Sequence, residues 1–409
     1  MSVVLFTWEL GAGMGHVMPY INAAKRLVDN GHDVVFAMRE LSRAERLFEG
    51  TGIRYIQAPS QVKKIEAPIR PTNSYAQIIH NTGFSDVYRL TALVRAWQEL
   101  YRMVKPDLVV LDHSPSALIT SKGFELKRIL IGSGFFIPPS DEQLPMLFTS
   151  PKTDDEKVRS DEQQVLDKIL EVTKRLALPE INSWKSMFDV DRKLFRTFKE
   201  LDHYGGRDDC EYLGIGPDKP GVEPGWPEGR GKRVFAYLKP FKTLPALLQM
   251  LNKFGNPTLI YGDGIKQETK DRFSSKTLKF VDQPLDMGLV GKSAQVAITN
   301  ANHGTIASLL LAGLPQLLLP LQLEQMILAS RVAALGVGLA APKLRQGGMA
   351  NKFKQLCEDE RYQKAADEFV QRNINFDRET ARLLEALPFP DGHLRCGRYA
   401  DHPYCPLRC

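Results

Sequence analysis

Cysteine is scarce in this sequence of 409 residues, and the five present are an odd number. Cys210 and Cys357 stand alone, while Cys396, Cys405 and Cys409 fall in the last 14 residues. That distribution argues against a secreted disulfide framework and fits a reducing cytoplasm. Long apolar runs are also missing. The stretch from Ile306 to Leu323 is broken by Ser308, Gly313, Pro315, Gln316, Pro320 and Gln322, so it falls short of the ~20 apolar residues a membrane span requires. No basic segment precedes the short apolar run at Val3 to Trp8, so no cleaved secretion signal is expected. Charge is nearly balanced: 54 Lys and Arg against 48 Asp and Glu leave +6. With no dense basic block carrying interleaved aromatics, a nucleic-acid partner is not expected. A hydrophobic fraction of 43% is ordinary for a folded soluble chain and excludes disorder.

What is present is an α/β rhythm. Val3 to Thr7 is short, apolar and rich in β-branched residues, as a strand buried on both faces must be. A glycine-rich turn follows, then Val17, Tyr20, Ile21, Ala24, Leu27 and Val28 at helical spacing, Gly31 as a helix stop, and Val34 to Ala37 as the next strand. This is a βαβ unit, which implies a parallel sheet with a right-handed crossover. Pro106 to Asp112 and Arg128 to Gly132 repeat the strand pattern, and the helical, charged stretches 60–104 and 140–205 read as excursions from the sheet. Residues 214–231 hold six Gly and four Pro, the composition of a linker. Beyond it Val234 to Leu238, Pro257 to Tyr261, Thr277 to Val281, Ala294 to Thr299 and Gln316 to Leu319 read as strands. The expected organisation is therefore a domain at 1–213, a linker at 214–231, a second α/β domain at 232–385 and a tail at 386–409, with ligands bound in a cleft beyond the carboxyl ends of the strands.

The turn Gly11-Ala12-Gly13-Met14-Gly15-His16 is not a dinucleotide fingerprint, because the third glycine of G-x-G-x-x-G falls on His16. No G-x-x-x-x-G-K-[ST] loop occurs either. The turn instead suits a histidine at a helix start, where the helix dipole favours the neutral, basic imidazole. Asp112, closing another strand at the same sheet edge, is the candidate carboxylate behind it, and together they form a general base for a hydroxyl. The alternative is that His16 is a turn residue and Asp112 a helix cap. In the second half, Asn300 to Thr305 ends a strand and opens a helix, a natural pyrophosphate site. Glu324 and Gln325 can grip sugar hydroxyls, or Thr305 and Glu324 can be helix caps.

These motifs resemble the UDP-glycosyltransferase superfamily, whose members include macrolide and plant secondary-metabolite enzymes of the inverting type. His303-Gly304-Thr305 through Gly313-Leu314-Pro315, then Pro320 with Glu324-Gln325, Ala329 and Gly336-Val337-Gly338, is similar to the family's donor signature. Gly15-His16-Val17-Met18-Pro19 looks like its G-H-x-x-P motif, and Leu201-Asp202-His203-Tyr204 looks like its pre-linker segment. The resemblance spans residues 2–370. It implies the GT-B fold, two Rossmann-like α/β domains with parallel sheets facing a central cleft. It further implies His16 as the base, Asp112 as its partner, and UDP or dTDP sugar as co-substrate. Neither metal nor other cofactor is expected.

Departures from the pattern are specific. The family's diphosphate-binding histidine falls on Asn300, and the two glycines after it fall on Ala301 and Asn302, with His303 nearby as a substitute. The acid that commonly holds the ribose is Ser308, and the aspartate of the sugar-binding pair is Glu324. Lys239 either compensates at a phosphate or is a solvated surface lysine. Phe135 and Phe136 begin an apolar stretch placed where acceptors dock in such folds. It suits a small-molecule, glycan or lipid acceptor or contact with a membrane surface, unless it is ordinary core. In the tail, His393, Cys396, His402, Cys405 and Cys409 are soft ligands sufficient for a four-coordinate zinc, although a tail of reactive thiols fits the same residues. The expected activity is inverting transfer of a hexose from a nucleotide sugar to an acceptor hydroxyl. A nucleotide-sugar epimerase and a non-catalytic binding protein on the same scaffold stay open.

Overall fold

The computed structural model describes residues 1–376 and Leu387, apart from 12, 62–64, 140, 149–150, 217–220 and 342–345. The chain divides into two compact units. The first contains residues 1–196 and 207–213, with Leu387 in one of its cores, and the second contains 197–206 and 214–376.

The first unit is built on seven strands: β1 (Val3–Trp8), β2 (Asp33–Met38), β3 (Arg54–Gln57), β4 (Leu108–Asp112), β5 (Lys127–Gly132), β6 (Arg192–Phe195) and β7 (Glu211–Tyr212). They lie in the order β3-β2-β1-β4-β5-β6-β7, and every pair is parallel. Successive residues of a strand point to opposite faces, and here both faces are covered. Leu5, Val109, Leu111 and Leu130 join a core with Trp97, Val165 and Ile169, which belong to helices Val87–Val104 and Asp155–Arg175. Val4, Phe6, Val110 and Ile131 join the opposite core with Ala24 and Leu27 of helix Ile21–Asp29. Asp86 and Asp154 start the two long helices by accepting the backbone N–H groups of Arg89 and Lys157. The helical excursions thus cover one face of the sheet.

The second unit carries β8 (Val234–Leu238), β9 (Thr258–Gly262), β10 (Leu278–Val281), β11 (Val296–Thr299), β12 (Gln316–Leu318) and β13 (Gly338–Ala340), again all parallel, in the order β10-β9-β8-β11-β12-β13. Part of the Gly- and Pro-rich stretch is fastened to this unit. Val222 donates to Pro284 O and accepts from Asp286 N, and Trp226 Nε1 donates to Ser293 Oγ. In both sheets the strand order reverses beside the first strand, between β1 and β4 and between β8 and β11. At such a switch point the two following loops diverge and leave a crevice at the carboxyl ends of the strands.

Among the described residues, no helix is long and apolar enough to cross a membrane. No group of three or more His, Cys, Asp or Glu residues there can hold a metal ion. The tail ligands His393, Cys396, His402, Cys405 and Cys409 lie outside the described residues.

Candidate functional site

The switch point of the first sheet brings His16 and Asp112 together. Parallel pairing sets Trp8 opposite Asp112, so the turn after β1 and the end of β4 share one edge. Hydrogen bonds lock the turn there, with Leu10 N donating to His113 O at 3.0 Å and the Arg39 side-chain Nη1 donating to Gly11 O at 2.7 Å. His16 Nδ1 lies 2.8 Å from Asp112 Oδ1. The other carboxylate oxygen accepts the Tyr20 hydroxyl at 2.6 Å. An ionised carboxylate only accepts, so Nδ1 carries a proton, and in the neutral imidazole Nε2 presents a lone pair. His16 stacks on Trp8, with centroids 5.5 Å apart, and its side chain keeps 16% exposure, so the ring is oriented yet reachable.

One part of the expectation fails. His16 is not at the start of a helix: it closes the short 3₁₀ turn Met14–His16, and the α-helix begins at Ile21. The helix dipole therefore does not act on its ring, and the Asp112 contact is what orients it. Asp112 is no cap either. The helix Pro115–Ser121 follows Ser114, and buried Glu9 receives its Ser116 N–H and hydroxyl at 3.0 and 2.6 Å. Burial pushes the Glu9 carboxyl up to about 7, against the bonds from Ser116 and Ala117 and the charge of Arg39.

Two neighbours of His16 were not singled out from the sequence. Tyr20 is buried beside Phe6, with the Arg196 guanidinium 5.2 Å from its ring centroid. His113 is buried, has φ of +44°, and lies flat on Phe136 at a centroid distance of 3.4 Å. Of the predicted acceptor pair, Phe135 is core at 3% exposure, whereas half-buried Phe136 faces His113 and stands 6.2 Å from His16. Arg207 holds this loop by donating to Ile137 O at 2.6 Å.

At the second switch point, helix His303–Leu311 opens after β11 with Asn302 as N-cap residue. Its first-turn N–H groups have no carbonyl of the preceding turn to bond, and Gly304 is exposed with open space over its α-carbon. Thr305 lies in that first turn, half-buried, and is not the cap. Ser308 is one turn further on and half-buried. His303 Nε2 is 2.6 Å from Thr197 Oγ1, and Gln325 Nε2 donates to Asn302 Oδ1 at 2.9 Å. Gln325 Oε1 also accepts Leu321 N, so its amide is spent on shaping the loop. Glu324, at the start of helix Leu323–Ala334, is half-buried and not its cap, which is Gln322.

The side chain of Asn300, expected to take part in diphosphate binding, is engaged within the fold. It is fully buried, its Oδ1 accepts Lys239 N at 2.7 Å, and its Nδ2 donates to Leu319 O at 2.9 Å. The amide thus ties together the ends of β8, β11 and β12. Ala301, one of the two positions at which the resemblance implies glycine, has a φ of +61°, in the left-handed region. The Lys239 ammonium is exposed and 3.6 Å from Asp263 Oδ2.

No family model matches the chain, and no curated protein matches its sequence. Solved structures do match in shape. They include CalG4, the calicheamicin glycosyltransferase, with a TM-score of 0.69 and 16% identity over 94% of this chain and 97% of that one. SnogD from Streptomyces nogalater aligns with a TM-score of 0.62 and 16% identity over 95% and 99%. The spinosyn rhamnosyltransferase SpnG complexed with thymidine diphosphate aligns with 0.63 and 16% over 94% and 99%. This chain therefore has the GT-B fold of these glycosyltransferases, two parallel sheets of seven and six strands clad in helices.

Proposed function

We propose that this chain transfers a sugar, with inversion, from a nucleoside diphosphate sugar to a hydroxyl of an acceptor molecule. The observation that carries the reading is the 2.8 Å contact between His16 and Asp112 at the sheet's switch point. With Nδ1–H held by the carboxylate, Nε2 accepts the proton as the acceptor oxygen bonds to the anomeric carbon. The bond from that carbon to the diphosphate breaks, and its electron pair leaves with the diphosphate. Asp112 balances the imidazolium that forms, as the acid of a catalytic triad does. Attack on the face opposite the leaving group gives inversion. In the second unit, the helix N-terminus at Gly304 and Thr305 supplies N–H groups and the positive end of a dipole to the leaving diphosphate. The thymidine diphosphate bound by SpnG supports a nucleotide of this type.

The test has two arms. UDP, dTDP and GDP, with their sugars, are screened for a rise in melting temperature, since a ligand that binds only the folded state stabilises it. His16→Ala is then assayed with the nucleotide sugar that binds. It should keep the nucleotide-induced shift and lose transfer by about a hundredfold or more. Near wild-type transfer by this variant would remove His16 as the base.

A second reading, a non-catalytic binding protein, draws on the Asn300 amide spent within the fold and on Lys239 facing Asp263. Calorimetry that detects no binding of UDP, dTDP or GDP would favour this second reading, because the transferase requires binding of a nucleoside diphosphate.

A further inference from the structure

Beside His16 stands a second imidazole for which the proposed mechanism has no task. His113 follows Asp112 at the end of β4, is 6% exposed, and has no hydrogen-bond partner on either ring nitrogen among the described residues. Buried polar groups are rarely left so, because desolvation without a partner is costly. Its backbone is in the left-handed region, which a non-glycine residue adopts at a cost that functional sites commonly carry. The ring is fixed by its flat stack on Phe136 and lies 6.3 Å, centroid to centroid, from His16.

Position 11 shows where the two rings converge. A Cβ added to Gly11 would lie 2.6 Å from His16 Nε2 and 3.4 Å from His113 Nδ1. The two nitrogens are thus separated by at most about 6 Å, so one oxygen can lie within hydrogen-bonding distance of both. We propose that His16 Nε2 and His113 Nδ1 together bind the acceptor hydroxyl over the α-carbon of Gly11, with His113 a catalytic residue. This deepens the sugar-transfer reading and rests on it.

The hydroxyl proton points to Nε2 of His16, whose other nitrogen is committed to Asp112, and the oxygen accepts from Nδ1–H of His113. When the oxygen bonds to the anomeric carbon, its proton passes to His16 while His113 keeps its own. His113 thereby steadies the negative charge developing on the oxygen, in the manner of an oxyanion donor. Burial above all, then the positive charge that His16 carries when protonated and that of Arg39, hold the His113 pKa well below the usual histidine value, against the opposing pull of the Leu10 backbone. The ring therefore stays a neutral donor beside the base.

Phenol is a sufficient probe, because it presents one hydroxyl and needs no sugar nucleotide. With ¹⁵N-labelled histidine, phenol should shift the imidazole nitrogens of both His16 and His113 along one saturation curve. His113→Phe keeps a flat ring on Phe136 without nitrogens and should weaken the response at His16 at least tenfold. His113→Asn tolerates the left-handed backbone and returns a donor, so it should recover affinity to within about threefold. The proposal is overturned if His16 responds with unchanged affinity in the Phe variant, if the Asn variant recovers nothing, or if phenol moves neither ring. If the chain transfers no sugar yet both rings respond, the hydroxyl site stands and the transferase reading falls.

Discussion

The Tyr20 hydroxyl donates to Oδ2 of Asp112 at 2.6 Å while His16 occupies Oδ1 of the same carboxylate. The carboxylate is thereby held at both ends, and the plane of the His16 ring is set from behind. Tyr20→Phe removes one hydroxyl and leaves a buried oxygen without its donor, which costs about 1–3 kcal/mol. Urea denaturation should show that loss. Initial rates should fall several-fold further than the stability loss accounts for, because the carboxylate is then free to turn away from Nδ1.

Gly11 and Gly13 both have positive φ, +89° and +87°, yet an alanine at each meets different surroundings. At Gly13 there is nothing within 4 Å, whereas at Gly11 the methyl group would press on His16 Nε2 at 2.6 Å. Both substitutions strain the backbone by about 1–2 kcal/mol. Only Gly11→Ala covers the basic nitrogen, so it should reduce transfer at least a hundredfold at temperatures where both variants remain folded. Gly13→Ala should lose stability alone. Equal rates for the two variants would separate the turn from the chemistry.

Asn300, expected at the diphosphate, has a structural task within the fold. Its side chain spans Lys239 N and Leu319 O, so Asn300→Ala leaves two backbone groups unpaired at the strand ends. The expected loss is about 2–4 kcal/mol in the absence of any nucleotide, measured by denaturation. A residue whose only role is to touch the donor would leave that stability unchanged.

Much of this architecture is legible from runs of buried β-branched residues. Strands such as Val296–Thr299, buried at every position, leave no alternation to confuse and stand out between polar turns. Three strands that pass unnoticed are short edges: Arg54–Gln57 is exposed or half-exposed throughout, Glu211–Tyr212 has two residues, and Gly338–Ala340 has three. A fourth, Arg192–Phe195, lies inside the sheet but has four residues and begins with two charged ones, so it reads as part of the charged excursion 140–205. Spacing alone suggests the His16 and Asp112 pair, because a parallel sheet forces the ends of adjacent strands together. His113 and Tyr20 were missed because no motif marks them. Their roles depend on a left-handed backbone and on a tyrosine directed back at a carboxylate, and neither leaves a periodic signal. The proximity of His16 to the first helix is legible, but the two short 3₁₀ turns that delay the helix to Ile21 are not.

Glu9 makes the stability of the first unit depend on pH in a direction opposite to that of an ion-paired carboxylate. Its folded pKa is about 7 against an ordinary value of 4.5, with burial as the main cause. The folded state therefore retains a proton that the unfolded chain releases. This contribution to stability is fully present below about pH 4.5, declines as pH rises through the interval, and is gone above the folded pKa. A shift of that size corresponds to about 3 kcal/mol. Glu9→Gln keeps the shape and cannot ionise. Its carbonyl accepts Ser116 N–H, while its amide donates to the Ser116 hydroxyl, which reverses its role. Denaturation curves at pH 5 and pH 8 should show the variant gaining on the wild type by about 2–3 kcal/mol between the two. Taking the difference between the proteins cancels every other titrating group, so an unchanged gap would mean that Glu9 ionises in the fold as it does in water.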